Sequence, residues 1–139
     1  MGLIIDCYTK KYAVFSGRAR RKEFWLFMLF LTLALYIPQV ILTEYMLLQM
    51  ADTSTSSDSF SDETGFVMFV GYGIWFLFII FSLAPAISVS VRRLHDVNKS
   101  GWWYWISLVP LINLIMIFFY AQKGTAGVNR FGPDPLGES

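Results

Sequence analysis

The residues of this chain best equipped for chemistry gather in one stretch, Val91–Trp103, which reads VRRLHDVNKSGWW. Arg92, Arg93, His95, Asp96 and Lys99 fall within eight positions, and Ser100 follows. A histidine beside a carboxylate is the beginning of a general-base pair, and a nearby serine hydroxyl is a candidate nucleophile. Nucleophilic catalysis also needs a third group to orient the base, and the stretch offers none. Ser100 stands directly before Gly101-Trp102-Trp103, which suits an N-cap for the following helix. One histidine and one aspartate also fall short of the three or four ligands that hold zinc. What remains is charge pairing, because a planar guanidinium grips carboxylate or phosphate through two parallel hydrogen bonds. The expectation is an ion-pair network with no catalytic residue, no metal and no cofactor.

A second basic cluster lies in Phe15–Trp25, FSGRARRKEFW, with Arg18, Arg20, Arg21 and Lys22 followed by Glu23. Cationic flanks of this kind hold one end of a membrane span in the cytoplasm. They also attract anionic headgroups, at roughly 1 kcal/mol per base near the surface. Glu23 and Asp96 are the carboxylates available to seven bases: Arg18, Arg20, Arg21, Lys22, Arg92, Arg93 and Lys99. Some of those bases are therefore left for lipid phosphate.

The elements that must bring the two clusters together are apolar. The chain of 139 residues is 55% hydrophobic and 15% charged, where soluble domains carry about 25% charged residues. Mean hydropathy is +0.51. The length is that of one domain, and the single cysteine, Cys7, cannot close an intramolecular disulfide. Three runs, 24–50, 66–91 and 102–120, each approach or exceed the roughly 20 residues that cross a hydrocarbon core of about 30 Å. Each holds one proline: Pro38, Pro85 and Pro110. Glu44 falls late enough in the first run to reach the far interface. Trp25, Trp102 and Trp103 sit at run ends, as interfacial aromatics do.

Residues 3–15 read as a short amphipathic helix in the interface plane, with Ile5, Tyr8, Tyr12 and Phe15 at near-helical spacing. Residues 51–65 are Ser/Thr/Asp-rich and read as a flexible outside loop. Residues 92–101 form an inside loop, and 121–139 a turn-rich tail. The fold class expected is an all-α polytopic membrane protein with three transmembrane helices plus the amphipathic helix. Lysine and arginine number six before the first run, none in 51–65, three in 92–101 and two in the tail. With three spans, that bias places the N-terminus inside and the C-terminus outside.

Three stretches together carry a family resemblance: Phe15–Trp25, the segment Arg92–Trp103, and a closing G-T-x-G-x-N-R-F-G-P-D-P from Gly124 to Pro135. The chain resembles the domain-of-unknown-function 805 family, small bacterial inner-membrane proteins. The match runs nearly end to end. It departs in the long Ser/Thr/Asp loop and at Val97-Asn98-Lys99, where relatives often carry Thr-Gly-Arg. The resemblance implies an inner-membrane location and a helical fold, and it brings no reaction with it. Asn129, Arg130 and Asp134 are the polar residues of the tail motif that it singles out.

The functional expectation is a non-enzymatic membrane protein with an arginine-rich cytoplasmic rim: Arg18, Arg20, Arg21, Glu23, Arg92, Arg93, His95 and Asp96. The rim would engage anionic lipid headgroups, a membrane-protein partner or a second copy of the chain. The alternative is a subunit of an oligomeric transporter or channel. Against it stands the lack of an ionisable residue at mid-membrane depth. Nucleic acid is not an expected partner, because the bases abut the bilayer.

Overall fold

The computed structural model describes residues 2–53, 62–107 and 109–137. Its regular elements are all helical: α1 Gly2–Tyr8, α2 Arg21–Thr53, α3 Asp62–Asp96, α4 Trp103–Ile106 and α5 Pro110–Ala121. The chain divides into two compact units. The first, here the head, is Met1–Phe30 with Leu83–Ser139, and the second, the hairpin, is Leu31–Ser82.

Within the hairpin, α2 and α3 pair antiparallel. Trp75 Nε1 donates to Leu35 O at 3.0 Å, and Thr64 Oγ1 lies 3.5 Å from Gln49 Oε1. Between these contacts Gly71 lies against Leu42; a Cβ there would fall 2.8 Å from Leu42 Cδ2. Close approach at a glycine is how helices pack where lipid supplies no hydrophobic drive. Pro38 cannot donate to the carbonyl of Ala34, which loosens this turn. The indole of Trp75 finds the next carbonyl along.

Among the described residues, two stretches are long and apolar enough to cross a membrane: Arg21–Ala51 and Glu63–Asp96, with mean hydropathy 2.1 and 2.3. Only 6% and 11% of their most apolar stretches are buried by the protein itself. Leu33, Ile41, Phe69, Ile74 and Leu77 are exposed. Apolar surface this continuous calls for lipid.

The third run does not form one membrane-length helix. It breaks after Ile106, because Pro110 fixes Val109 in an extended conformation (φ −88°, ψ 116°) and then opens α5 at a position where no amide is needed. At 12 residues, α5 is about 18 Å long, well short of the hydrocarbon core. The run also doubles back: Lys99 Nζ lies 5.6 Å from the ring centre of Trp103 and 5.1 Å from that of Phe119. Those two rings meet edge to face at 5.7 Å although sixteen positions separate them. The run enters and leaves at one level, so the tail emerges where α3 ends. The expectation of three membrane-length helices is corrected to two among the described residues.

Other boundaries also shift. The amphipathic helix ends at Tyr8 rather than 15, and residues beyond it run over α3 instead of lying free. Ser88 Oγ donates to Val14 O at 2.6 Å, and Ala19 N to Arg92 O at 3.0 Å. Ala51–Thr53 continues α2 and Asp62–Gly65 opens α3; the rest of the expected flexible loop, 54–61, lies outside the described residues. Residues 92–96, expected in a loop, are the last turn of α3.

That helix ends on Asn98, which adopts φ 58°. Asn98 N donates to His95 O at 3.0 Å and Lys99 N to Leu94 O at 2.9 Å, the crossed pair of a Schellman ending. Asn98 thus occupies a left-handed position that glycine fills without strain. Asn98→Ala should lower stability by about 1–2 kcal/mol, and Asn98→Gly should be tolerated, as thermal unfolding in detergent would register. Equal losses for both would count against this ending.

Candidate functional site: a caged arginine network and its basic rim

The last turn of α3, the segment before α2, and the tail meet in the head, and Arg18, Arg92, Arg93 and Asp96 are buried there. The side chains of Arg18, Arg92 and Arg93 are only 1%, 2% and 0% exposed. A buried guanidinium needs a counter-charge and acceptors for all of its N–H groups. Asp96 supplies the charge for two of them. Arg18 Nε lies 2.8 Å from its Oδ1, and Arg93 Nη1 donates to its Oδ2. The tail supplies the acceptors. Arg18 donates to Gly127 O at 2.6 Å and to Thr125 O, while Arg93 donates to Tyr120 O at 3.0 Å and to Gln122 O.

The Gly/Pro-dense tail is therefore a carbonyl cage. Asn129 N and O exchange hydrogen bonds with Gly132 at 3.1 Å, closing a turn, and Asn129 Nδ2 reaches His95 O at 2.9 Å. The turn projects Phe131 flat onto the imidazole of His95, with ring centres 3.9 Å apart. Thr125 N donates to Asp96 O at 2.9 Å. Asp134 accepts the amides of Leu136 and Gly127 at 2.9 and 3.2 Å and lies 3.9 Å from Arg18 Nη2. The first two bonds, Leu136 before Gly127, hold its carboxyl below the usual range. Arg130 donates to Asn98 O at 3.1 Å and lies over Phe131.

A second network forms around Glu23. Its Oε1 receives Arg92 Nη1 at 2.6 Å and Lys11 Nζ at 3.2 Å, and Cys7 Sγ lies 3.8 Å away. Burial first, and then the Glu23 carboxylate, push the Cys7 thiol above its ordinary 9.0; Arg92 and Lys11 pull weakly the other way. The native form is the neutral thiol, so its contribution to stability is intact below pH 9.0 and declines as the pH climbs. Because the thiolate is the nucleophile, maleimide should label Cys7 far more slowly in the folded protein than in denaturant at neutral pH. Equal rates would contradict the buried placement.

The expected cluster thus divides. Arg18, Arg92, Arg93, Glu23 and Asp96 are joined in the interior, whereas Arg20 and Arg21 are exposed, with Lys22 and Lys123 beside them. None of these four has a carboxylate within 4.0 Å among the described residues. His95 Nδ1 faces Gly17 O at 3.2 Å rather than a carboxylate. Ser100 does not cap α4; the N-cap is Trp102, whose amide lies 3.5 Å from Ser100 Oγ. Trp25, Trp102 and Trp103 are exposed. Sequence reasoning missed Cys7, Lys11, Gly124, Thr125, Gly127 and Phe131. The tail's glycines were the available signal, since turns in a closing segment must position something.

Two membrane-length helices among the described residues, all of whose regular elements are helical, define a helical integral membrane protein. The chain belongs to the family described as "Protein of unknown function (DUF805)", whose model matches residues 12–133. It is 39% identical to inner membrane protein YhaH of Escherichia coli strain K12 over 127 residues, 91% of this chain and 90% of that protein. Inner membrane protein YhaI of the same strain is 33% identical over 130 residues, 91% of this chain and 89% of its own length. No solved structure matches the chain. An inner-membrane location follows from these relatives and the two apolar helices together.

Proposed function

We propose that this protein is a two-span inner-membrane protein whose head faces the cytoplasm and binds anionic lipid headgroups through its exposed bases. One observation carries the reading: the buried Arg18, Arg92 and Arg93 are each paired with Asp96 or Glu23, while Arg20, Arg21, Lys22 and Lys123 stay exposed without a described carboxylate partner. All eleven lysines and arginines belong to the head, and that bias supports a cytoplasmic placement. Four such bases at a membrane surface are worth roughly 1 kcal/mol each towards anionic lipid. The lipid retained around the protein purified from mixed phosphatidylglycerol and phosphatidylcholine bilayers tests this. The wild type should enrich phosphatidylglycerol in a salt-sensitive way, and Arg20→Gln/Arg21→Gln/Lys22→Gln should not. A wild type carrying lipid in the bulk ratio would defeat the reading.

A further inference from the structure

A cavity of about 230 Å³ opens beside the arginine cage, and the cage makes no use of its chemistry. Arg20, Arg21 and Lys22 line it together with Lys123 and Gly124. Asp96 and Asp134 also contribute to its walls, but both are already engaged: Asp96 by Arg18 and Arg93, Asp134 by backbone amides. None of the four cations forms an ion pair within 4.0 Å among the described residues, although Arg20 is near enough to Asp134 to help lower its pKa. The space holds several waters and is large enough for a phosphate with a small substituent.

Arg21 and Lys22 also line a neighbouring groove of about 520 Å³ whose other walls are Trp25, Leu26, Leu29 and Ala121. Trp25, Leu26 and Leu29 are 44%, 45% and 58% exposed, and they follow the basic residues along α2 into its apolar stretch. A phosphate pocket thus continues into an apolar groove, in the order of a phospholipid's own parts. A soluble phosphate would use only the first half. The geometry points to a discrete site for one anionic phospholipid per chain. Its phosphate lies among Arg20, Arg21, Lys22 and Lys123, and one acyl chain lies along Trp25, Leu26 and Leu29. This inference rests on the headgroup-binding role proposed above and narrows it from a charged face to a saturable site.

Native mass spectrometry of the full chain in detergent, titrated with phosphatidylglycerol, tests it. The wild type should retain one lipid, and Arg21→Gln/Lys123→Gln should lower its occupancy about tenfold or more, as the loss of two bases implies. Lys10→Gln, outside the cavity, should change nothing. Ala121→Phe keeps every base and fills the groove, so it too should lose the lipid; all these positions are exposed, and the head should fold without them. Several weak adducts that the Lys10 and cavity variants lose alike would overturn the discrete site while leaving the charged face standing. No preference for phosphatidylglycerol over phosphatidylcholine in any variant would remove both. Equal binding of glycerol phosphate by the wild type and Ala121→Phe would assign the cavity to a soluble phosphate and overturn the lipid assignment.

Discussion

Asp96→Asn should be the most damaging conservative change in the head, costing about 3–5 kcal/mol. The substitution keeps shape and volume but removes the charge shared by Arg18 and Arg93, whose side chains are almost wholly buried. Arg93 would then sit in the interior with only neutral carbonyls around it, and Arg18 with its carbonyls and the longer 3.9 Å contact to Asp134. The amide's own N–H groups would also point at donors. An exposed ion pair would lose no more than about 1 kcal/mol, so the size of the effect separates an interior cage from a solvated rim. Thermal unfolding in detergent gives the number. The cycle with Arg93→Gln should be strongly non-additive, since removing either partner leaves less for the second change to break. A loss near 1 kcal/mol, or simple additivity, would mean that water reaches Asp96.

Gly124→Ala should be nearly as harmful, for a steric reason. A Cβ at this position would fall 2.7 Å from Asp96 Cγ and 2.9 Å from its Oδ1, and closer still to the other oxygen. The carboxylate cannot give way, because Arg18 and Arg93 hold its two sides. The tail must move instead, and with it the carbonyls of Thr125 and Gly127 that accept from Arg18. Overpacking of this kind costs about 1–3 kcal/mol, to which the disturbed cage adds. Limited proteolysis should cut the tail of the variant faster than that of the wild type. Gly137→Ala, where a Cβ would meet only ordinary contacts at 3.5 Å, provides the comparison. Equal cleavage of the two variants would show that the tail does not rest on Asp96.

Much of the architecture was legible in the sequence, and the failures have physical causes. The first two spans follow from uninterrupted apolar runs, which admit little else in a bilayer. The pairing of Glu23 and Asp96 with arginines could be anticipated because few carboxylates stood near many bases. The third run misled because hydropathy measures length and not continuity. Pro110 in its middle tolerates two descriptions, a kink within one helix or the opening of a second. The structure adopts the second, with Val109 extended before it. That one choice brings the tail back onto the last turn of α3. The tail's role could not be read from composition, because a turn-rich segment reveals that it bends and not what its carbonyls meet. Asn98 is the converse case: a residue whose place at the helix end is explained only once its positive φ is visible.

The carbonyl cage around Arg18 requires the tail to share the compartment of the N-terminal arginines. Paired reporters measure this directly: a fluorescent protein that matures only in the cytoplasm and a phosphatase active only outside, each fused to the C-terminus of the full chain. With two spans and a cytoplasmic head, the fluorescent fusion should be bright and the phosphatase fusion inactive. A phosphatase inserted between residues 54 and 61 should be active. An active phosphatase at the C-terminus together with a cytoplasmic N-terminus would require a third crossing, and the carbonyl cage around Arg18 and Arg93 could not then exist.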